Sequence, residues 1–183
     1  MSGLSERAER YRPLVQAEMR AVVGQRPEPL YAWMRYHLGW EDQQGAPVAA
    51  SPGKMMRPVA VLLAAELAGG RAEAAAPAAA AVELVHNFSL LHDDIEDASD
   101  FRRGRANLWT FAGAPQAINT GDGMFVVARL AQYRLLDAGV SSERTLAAMR
   151  ELDEACLRLV HGQYLDMSFE TRRDVTLDEY LEM

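Results

Sequence analysis

The apolar residues of this chain recur at helical spacing, and no segment alternates apolar and polar residues with the period of a β-strand. Ala, Leu, Met, Glu and Arg, which are good helix formers, dominate the sequence, while β-branched residues are sparse. At 183 residues, the chain is long enough for one domain with a substantial core. We therefore predict an all-α fold, with a single helical domain over residues 1–183.

Seven helices are predicted from this periodicity and from the Pro, Gly and Ser residues that interrupt it. They run from about Ser5 to Val23 with a kink or restart at Pro13, from Pro29 to Leu38, from near Lys54 to Gly69-Gly70, from about Pro77 to Ala98, from about Pro115 to Ala138, from Ser141 or Ser142 to about Glu170, and from Thr176 onward. Loops are expected over EDQQGAPVAASPG and Ser99–Arg105. The stretch AEAAAPAAAAVEL is expected to pack its small side chains closely against a neighbouring helix.

Composition excludes several classes of function. The net charge is −7 and no basic stripe is evident, which argues against nucleic-acid binding. A single cysteine, Cys156, rules out an intrachain disulfide and favours a reducing compartment. The charged N-terminus does not have the pattern of a signal peptide, and the apolar stretches look too short and too interrupted to span a bilayer. We expect a cytoplasmic protein without stable membrane insertion.

Three aspartates, Asp93, Asp94 and Asp97, lie in the run LLHDDIEDASDFRRGR. On a helix, Asp93 and Asp97 stack one turn apart, where like charges are destabilising. Positions 86 and 90 precede them on the same helical face, within a largely apolar segment. The acids therefore do not resemble an ordinary series of solvent-exposed charges. Because magnesium commonly takes one or two carboxylates together with phosphate oxygens, this pattern predicts a site for Mg²⁺ and a diphosphate.

Basic residues cluster on both sides of the aspartates in the sequence. Arg102, Arg103 and Arg105 follow them, either as counterions to the aspartates or as fork-shaped donors to phosphate oxygens. Lys54 and Arg57 share a face at a predicted helix N-terminus, where an anion is favoured. His86 is either a further donor to such an anion or a core histidine whose hydrogen bonds are satisfied.

Four segments, GKMMRP, VELVHNFSLLHDDIEDASDFRRGR, AINTGDGMF and GQYLDMSFE, together resemble the trans-isoprenyl diphosphate synthases of the polyprenyl synthetase family. The resemblance covers most of residues 53–170. Within the family, the chain is similar to bacterial farnesyl and geranylgeranyl diphosphate synthases. It implies an all-α antiparallel bundle around a central cleft, and a homodimer. It also implies Mg²⁺-dependent head-to-tail condensation of isopentenyl diphosphate with an allylic diphosphate.

The same resemblance implies roles for individual residues. Asp93 and Asp97, with Asp94 in support, would hold Mg²⁺ on the allylic diphosphate, which Arg102 would also bind. The isopentenyl diphosphate pocket would contain Lys54, Arg57, His86 and Arg103. Gln163 and Asp166, which share a predicted helical face with Glu170, match a helix across the cleft, although all three could be ordinary surface residues. Phe88 and Ser89, below the aspartates, imply a short product, farnesyl or geranylgeranyl diphosphate with a slight preference for the latter, unless Phe88 is only a core residue.

The chain also departs from the family pattern. Met55 stands where a basic residue is common, and Ala106-Asn107 replace a usual Pro-Thr. A Lys-Thr segment and a second aspartate-rich motif are missing from these 183 residues, so we expect the N-terminal two-thirds of a bundle, inactive or nearly so by itself. Two other functions stay open: a class I terpene cyclase, against which Lys54, Arg57 and His86 count, and a non-catalytic helical subunit that binds a diphosphate or a partner chain.

Overall fold

Eight helices and one two-stranded hairpin make up the part of the chain that the structure, a computed structural model, describes: residues 3–24, 26–48 and 53–183, with side chains from residue 6. The elements are α1 (Gly3–Val23), α2 (Pro29–His37), α3 (Met56–Leu67), α4 (Ala72–Glu96), β1 (Phe101–Arg102), β2 (Arg105–Ala106), α5 (Leu108–Ala112), α6 (Ala114–Asp137), α7 (Ser142–Phe169) and α8 (Leu177–Glu182). The all-α prediction is confirmed.

The chain divides into two compact units, Met1–Thr145 and Leu146–Met183. The first contains α1 to α6, the hairpin and the start of α7, and it holds almost all the residues to which the sequence assigns a function. The second contains most of α7 together with α8. The assignment of all 183 residues to one domain stays a prediction.

Helix α4 is the centre of the first unit, where it packs against α1, α3, α5 and α6. Its N-terminal half buries a series of alanines, among them Ala76, Ala79, Ala80 and Ala81, each at most 3% exposed. Small side chains allow neighbouring helices to approach closely, as predicted for the Ala-rich stretch. The apolar C-terminal half, which includes the buried Leu84 and Leu91, carries the aspartates at its end.

The length and composition of α4 would also allow it to cross a membrane, contrary to the expectation from the sequence. Its most apolar window has a mean hydropathy of 1.3, and 61% of that window is buried inside the protein. The core helix of a soluble protein meets the same criteria, so this property is weak evidence for membrane insertion.

Several predicted boundaries are wrong. α1 continues through Pro13 without a restart, and α4 begins at Ala72, because the alanines before Pro77 already favour a helix. α3 begins at Met56 rather than at Lys54, because Met55 adopts a left-handed conformation with φ of 48°. The predicted loop over residues 41–53 contains no helix among its described residues, and positions 49–52 lie outside them.

The hairpin and α5 were both missed by the sequence analysis. β1 and β2 have two residues each, so they cannot display an alternating pattern, and α5 has only five. The turn between the strands places Arg103 at φ 52° and Gly104 at φ 75°. Positive φ at both central residues defines a type I′ turn, which matches the twist of paired strands and favours glycine at its second position.

In the second unit, α8 begins as predicted. The hydroxyl of Thr176 accepts a hydrogen bond from the Glu179 N–H, and the Glu179 carboxylate accepts one from the Thr176 N–H, which forms a capping box. The Arg172 guanidinium donates to Asp174 and Glu179, which joins the loop between α7 and α8 to the first turn of α8. α8 ends close to Gly162 of α7, where a Cβ atom would lie 2.7 Å from the carbonyl oxygen of Met183.

Candidate functional site

The three aspartates lie at the C-terminal end of α4. Asp93 is partly buried, Asp94 is buried, and Asp97 is the exposed residue that ends the helix. The C-terminus of a helix carries a partial negative charge, so carboxylates are unfavourable there unless a cation balances them. The last turn of α4 contains no basic residue.

The electrostatic environment of Asp93 also favours a cation at this end of α4. Burial raises the pKa of its carboxyl group above the usual value, and the neighbouring Glu96 and Asp97 raise it further. Within the described ranges, no group of three His, Cys, Asp or Glu side chains converges to hold a metal ion. Since Mg²⁺ commonly uses one or two carboxylates and takes its other ligands from water and phosphate, Asp93 and Asp97 fit this ion together with a diphosphate.

Asp94 has a different environment from the other two aspartates. Its Oδ1 accepts a hydrogen bond from Nε of Arg102 at 2.7 Å, and a terminal nitrogen of the same guanidinium lies 2.7 Å from that oxygen. Its Oδ2 is buried and has no hydrogen-bond partner among the described residues. Arg102 is therefore a counterion to one aspartate, which was one of the two interpretations of the arginines, and it connects α4 to β1.

Arg105 has a structural role and is not free to bind phosphate. Its guanidinium donates to the carbonyl oxygens of Tyr36 at 2.7 Å and of Glu41 at 2.6 Å. The same group lies over the Tyr36 ring, 4.2 Å from its centroid. These contacts correspond to neither of the two roles considered for the arginines, and through them Arg105 joins the hairpin to α2.

Arg103, at the tip of the hairpin, lies next to the GKMMRP segment. Its guanidinium is so close to Gly53 that a Cβ atom there would lie 3.3 Å from Cζ. Gly53 also has φ of 74°, which a larger residue rarely adopts. Two motifs that are far apart in the sequence therefore meet, with Lys54 just before α3 and Arg57 in its first turn, both exposed.

His86 is partly buried on α4, between these basic residues. Its pKa is lowered to about 4, first by burial and then by Arg57, Arg103 and Arg102. Neither nitrogen of its ring has a hydrogen-bond partner among the described residues, which favours the interpretation of His86 as a donor over that of a core histidine. A neutral imidazole surrounded by guanidinium groups can donate a hydrogen bond to an anion.

A cavity of about 260 Å³ lies beside the hairpin. The end of α2, Gly53 and the hairpin enclose it, and Arg102, Arg103 and Arg105 all line it. His37 also lines this cavity, although the sequence analysis did not select it. No motif marks His37, and only the fold brings the end of α2 against the hairpin.

Aromatic residues lie below Asp93, where α4 packs on α6. The Phe88 ring contacts the rings of Phe125 and His92, with centroids 5.1 Å away in each case. The Ser89 hydroxyl donates to the His86 carbonyl oxygen at 2.9 Å, so it is used within its own helix. These contacts make Phe88 part of a packed aromatic group one helical turn below the acids.

Gln163 and Asp166 belong to α7 in the second unit, where helical spacing places them on one face. Gln163 is partly buried and Asp166 is exposed, while Glu170 follows the last residue of the helix. That these residues face the aspartates stays a prediction.

Comparisons with known proteins agree with this arrangement of motifs. The polyprenyl synthetase family description matches residues 42–183. A (2E,6E)-farnesyl diphosphate synthase and a geranylgeranyl diphosphate synthase from Mycobacterium tuberculosis are each 42% identical, over 93% and 90% of this chain. The crystal structure of a polyprenyl synthetase from Streptomyces coelicolor A3(2) is 40% identical, with a TM-score of 0.87 over 98% of this chain and 52% of that one.

The matched region includes every residue of the aspartate run, the arginine hairpin and the GKMMRP segment. The chain spans about half the length of the curated relatives it matches, 46% of the farnesyl and 45% of the geranylgeranyl enzyme. With a matched region this long and motifs that meet in space as the resemblance implies, the chain belongs to the polyprenyl synthetase family.

Proposed function

We propose that this chain carries the metal–diphosphate site and the isopentenyl diphosphate pocket of a Mg²⁺-dependent trans-prenyl diphosphate synthase. The reaction would condense isopentenyl diphosphate with an allylic diphosphate to give a short prenyl diphosphate. One observation carries the proposal: the hairpin connects a carboxylate pair to a cluster of cations. The pair, Asp93 and Asp97, lies at the end of α4, which the Asp94–Arg102 ion pair joins to β1. The cluster consists of Lys54, Arg57 and Arg103, with Arg103 against Gly53 and with the neutral His86 near Arg57 and Arg103.

The carboxylate pair would serve the allylic substrate. Asp93 and Asp97 would hold Mg²⁺, which when bound would neutralise charge on the departing diphosphate. Arg102, fixed by Asp94, would offer its exposed edge to the same diphosphate, since about a third of its side chain is accessible (32%). Breaking of the allylic C–O bond leaves a carbocation, and fixed positive groups near the leaving diphosphate lower the barrier to that step.

The cluster of cations would position the second substrate. Lys54, Arg57 and Arg103 would bind the diphosphate of isopentenyl diphosphate, and His86 would donate a hydrogen bond to it. The double bond of this substrate then attacks the allylic carbon, and the proton lost in forming the new double bond passes to the diphosphate by-product. The protein contributes orientation and an apolar lining that excludes water from the cation, for which Phe88 and Phe125 are suited.

The product is proposed to be short, farnesyl or geranylgeranyl diphosphate. The aromatic contacts of Phe88 support a closed floor one turn below Asp93. Ser89 at the neighbouring position is small, which favours the longer of the two products. The two mycobacterial relatives carry one of these product names each at the same identity, so they favour neither.

We also propose a cytoplasmic homodimer. The support is a stripe of exposed apolar side chains on one side of α6, which includes Ile118, Val126, Leu130 and Tyr133. Exposed apolar stripes of this kind commonly mark protein–protein interfaces. Light scattering on the protein and on its Leu130→Asp variant tests this part, because a dimer built on the stripe should dissociate in the variant.

The test of the activity uses the full-length protein that contains this sequence. It is incubated with Mg²⁺, labelled isopentenyl diphosphate and each allylic diphosphate in turn, and the products are separated by chromatography. Asp93→Asn and Asp97→Asn should each lower the rate at least about 100-fold, and the exposed Asp137→Asn on α6 serves as the matched control. A cyclic hydrocarbon without isopentenyl incorporation would show a terpene cyclase instead, and no turnover at all would favour a diphosphate-binding subunit.

A further inference from the structure

His37 is the last residue of α2 and lines the cavity of about 260 Å³ beside the hairpin. The same cavity is lined by Gly53 and by Arg103, whose guanidinium lies against Gly53. His37, Arg103 and Gly53 of the GKMMRP segment therefore border the same cavity. Phe88 and Ser89, the residues proposed to limit the product, do not line this cavity.

The charged side chains that act on the His37 imidazole are the guanidinium groups of Arg102, Arg103 and Arg105. The fourth group, His86, is a neutral imidazole near neutral pH, because its own pKa is lowered to about 4. Burial, followed by these cations, lowers the pKa of His37 to about 3, so its ring is neutral near neutral pH. Within the part of the chain that the structure describes, Arg102 is the one of these three arginines that forms an ion pair, with Asp94. An anion in the cavity would supply the negative charge that the surrounding residues lack.

The imidazole of His37 is available to such an anion. Neither of its ring nitrogens has a hydrogen-bond partner among the described residues. A neutral imidazole has one N–H donor, and its N–H is less costly to bury than a charged group. The cavity is smaller than the 300–1,000 Å³ of typical ligand pockets, which suits a compact diphosphate head better than a prenyl chain.

We propose that His37 is a further substrate-binding residue for the homoallylic substrate, donating a hydrogen bond to the diphosphate that Arg103 holds over Gly53. This inference rests on the proposed function, because it extends the proposed isopentenyl diphosphate pocket through Arg103 to the cavity that His37 lines, which Lys54, Arg57 and His86 do not line. His37 should act mainly on the isopentenyl substrate, because Asp93 and Asp97, proposed for the allylic one, do not line this cavity.

The test measures both Michaelis constants in the full-length protein. His37→Ala should raise KM for isopentenyl diphosphate about 10-fold or more, the usual effect of losing a hydrogen bond to a charged group, and leave KM for the allylic diphosphate within twofold. His37→Gln, whose amide can donate from a similar position, should recover most of the loss. His161→Ala, an exposed histidine on α7, is the matched control. If His37→Ala does not fold, His37→Phe fills the same space without a donor.

Titration of inorganic diphosphate without Mg²⁺ separates this inference from the proposed function. Weaker binding to His37→Ala, by about 10-fold, supports the role of His37 even if the wild-type protein makes no prenyl product. Condensation by the wild type with an unchanged isopentenyl KM in His37→Ala overturns the inference and leaves the function standing. An equal rise in both KM values also overturns it, because a general structural defect would affect both substrates.

Discussion

Asp94 and Arg102 form an ion pair in which two nitrogens of one guanidinium lie 2.7 Å from the same carboxylate oxygen, and Nε donates a hydrogen bond to it. The Asp94 side chain is 3% exposed, so the pair joins the buried end of α4 to β1. This ion pair also distinguishes Asp94 from Asp93 and Asp97, the two aspartates proposed to bind metal. Three aspartates that look equivalent in the sequence therefore have two different roles.

Replacing Asp94 with asparagine should destabilise the protein more than the same change at Asp97. Asp94→Asn leaves the Arg102 charge without its counterion beside a buried amide, which should lower the free energy of unfolding by about 1–3 kcal/mol. This range is below that of a fully buried pair, because Arg102 is a third exposed. Urea denaturation measures the change.

The matched control is Asp97→Asn, because Asp97 is exposed and lies at the end of the helix. Removing a negative charge from a helix C-terminus should leave stability unchanged or slightly improve it. Equal destabilisation by both variants would contradict the division of roles between the aspartates.

Replacement by lysine should affect stability at Arg105 and substrate binding at Arg103. Arg105→Lys cannot reproduce two hydrogen bonds to carbonyl oxygens together with stacking on Tyr36, so the free energy of unfolding should fall by about 1–2 kcal/mol. Arg103→Lys should leave stability unchanged and raise KM for isopentenyl diphosphate. Thermal denaturation and steady-state kinetics on both variants check this, and the opposite assignment of effects would refute it.

The arginines show how far the sequence analysis could go. Their spacing after the aspartates indicated an anion site, and the positions of Asp93, Arg103 and Lys54 agree with that. The sequence does not reveal which arginine is used internally, because that depends on the backbone carbonyls of α2, which only the fold brings to the hairpin. His37 was missed for the same reason. The hairpin was missed because two-residue strands have no period to detect.

The long helices were the most predictable part of the fold. α2, α6, α7 and α8 begin or end close to the predicted residues, because Pro, Gly, Ser and Thr punctuate the sequence there. Where backbone geometry overrides such signals the prediction was wrong, as at Met55, whose left-handed conformation excludes Lys54 from α3. No local pattern reports that conformation for a methionine.

Stability should fall as the pH is lowered from 7 to 5. His37 and His86 have pKa values lowered to about 3 and about 4 in the folded protein, whereas an unfolded histidine titrates near 6.5. Below about pH 6.5 the unfolded chain therefore binds protons that the folded protein does not, so acid favours unfolding. Urea denaturation across this range should show a smaller slope for His37→Gln than for the wild type.

Comparing the variant with the wild type is necessary because Glu83 acts in the opposite sense. Burial raises the pKa of its carboxyl group, so its contribution to stability is present at low pH and lost as the pH rises. Glu83 is unchanged in His37→Gln, so the difference between the two proteins isolates the imidazole. Identical pH dependence in both would show that His37 titrates normally in the folded state.

Gly121 should tolerate alanine less well than Gly123, two residues further along α6. A Cβ atom at Gly121 would lie 2.3 Å from Nε2 of His92, whose ring is in edge contact with Phe88 and 3.5 Å from an Asp122 oxygen. We expect Gly121→Ala to lower the free energy of unfolding by about 1–3 kcal/mol, because the ring must move.

At Gly123 the nearest atom to an added Cβ is the terminal methyl of Met34, at 2.8 Å, which can rotate away. Alanine also favours a helix over glycine by up to about 1 kcal/mol, so Gly123→Ala should stay within about 1 kcal/mol of the wild type. Thermal denaturation of the two variants provides the comparison. A more stable Gly121→Ala protein would mean that His92 is not held against α6.

Shortening Phe88 should lengthen the product. The Phe88 ring contacts Phe125 and His92 one turn below Asp93, so Phe88→Ala removes the largest part of the floor beneath the proposed allylic site. A growing chain would then extend past this point, and chromatography should detect products with at least one additional isoprene unit. Phe111→Ala is the matched control, because Phe111 contacts Tyr36 instead, with ring centroids 5.1 Å apart. An unchanged product distribution in Phe88→Ala, with activity retained, would mean that Phe88 is only a packing residue and that another side chain ends the tail pocket.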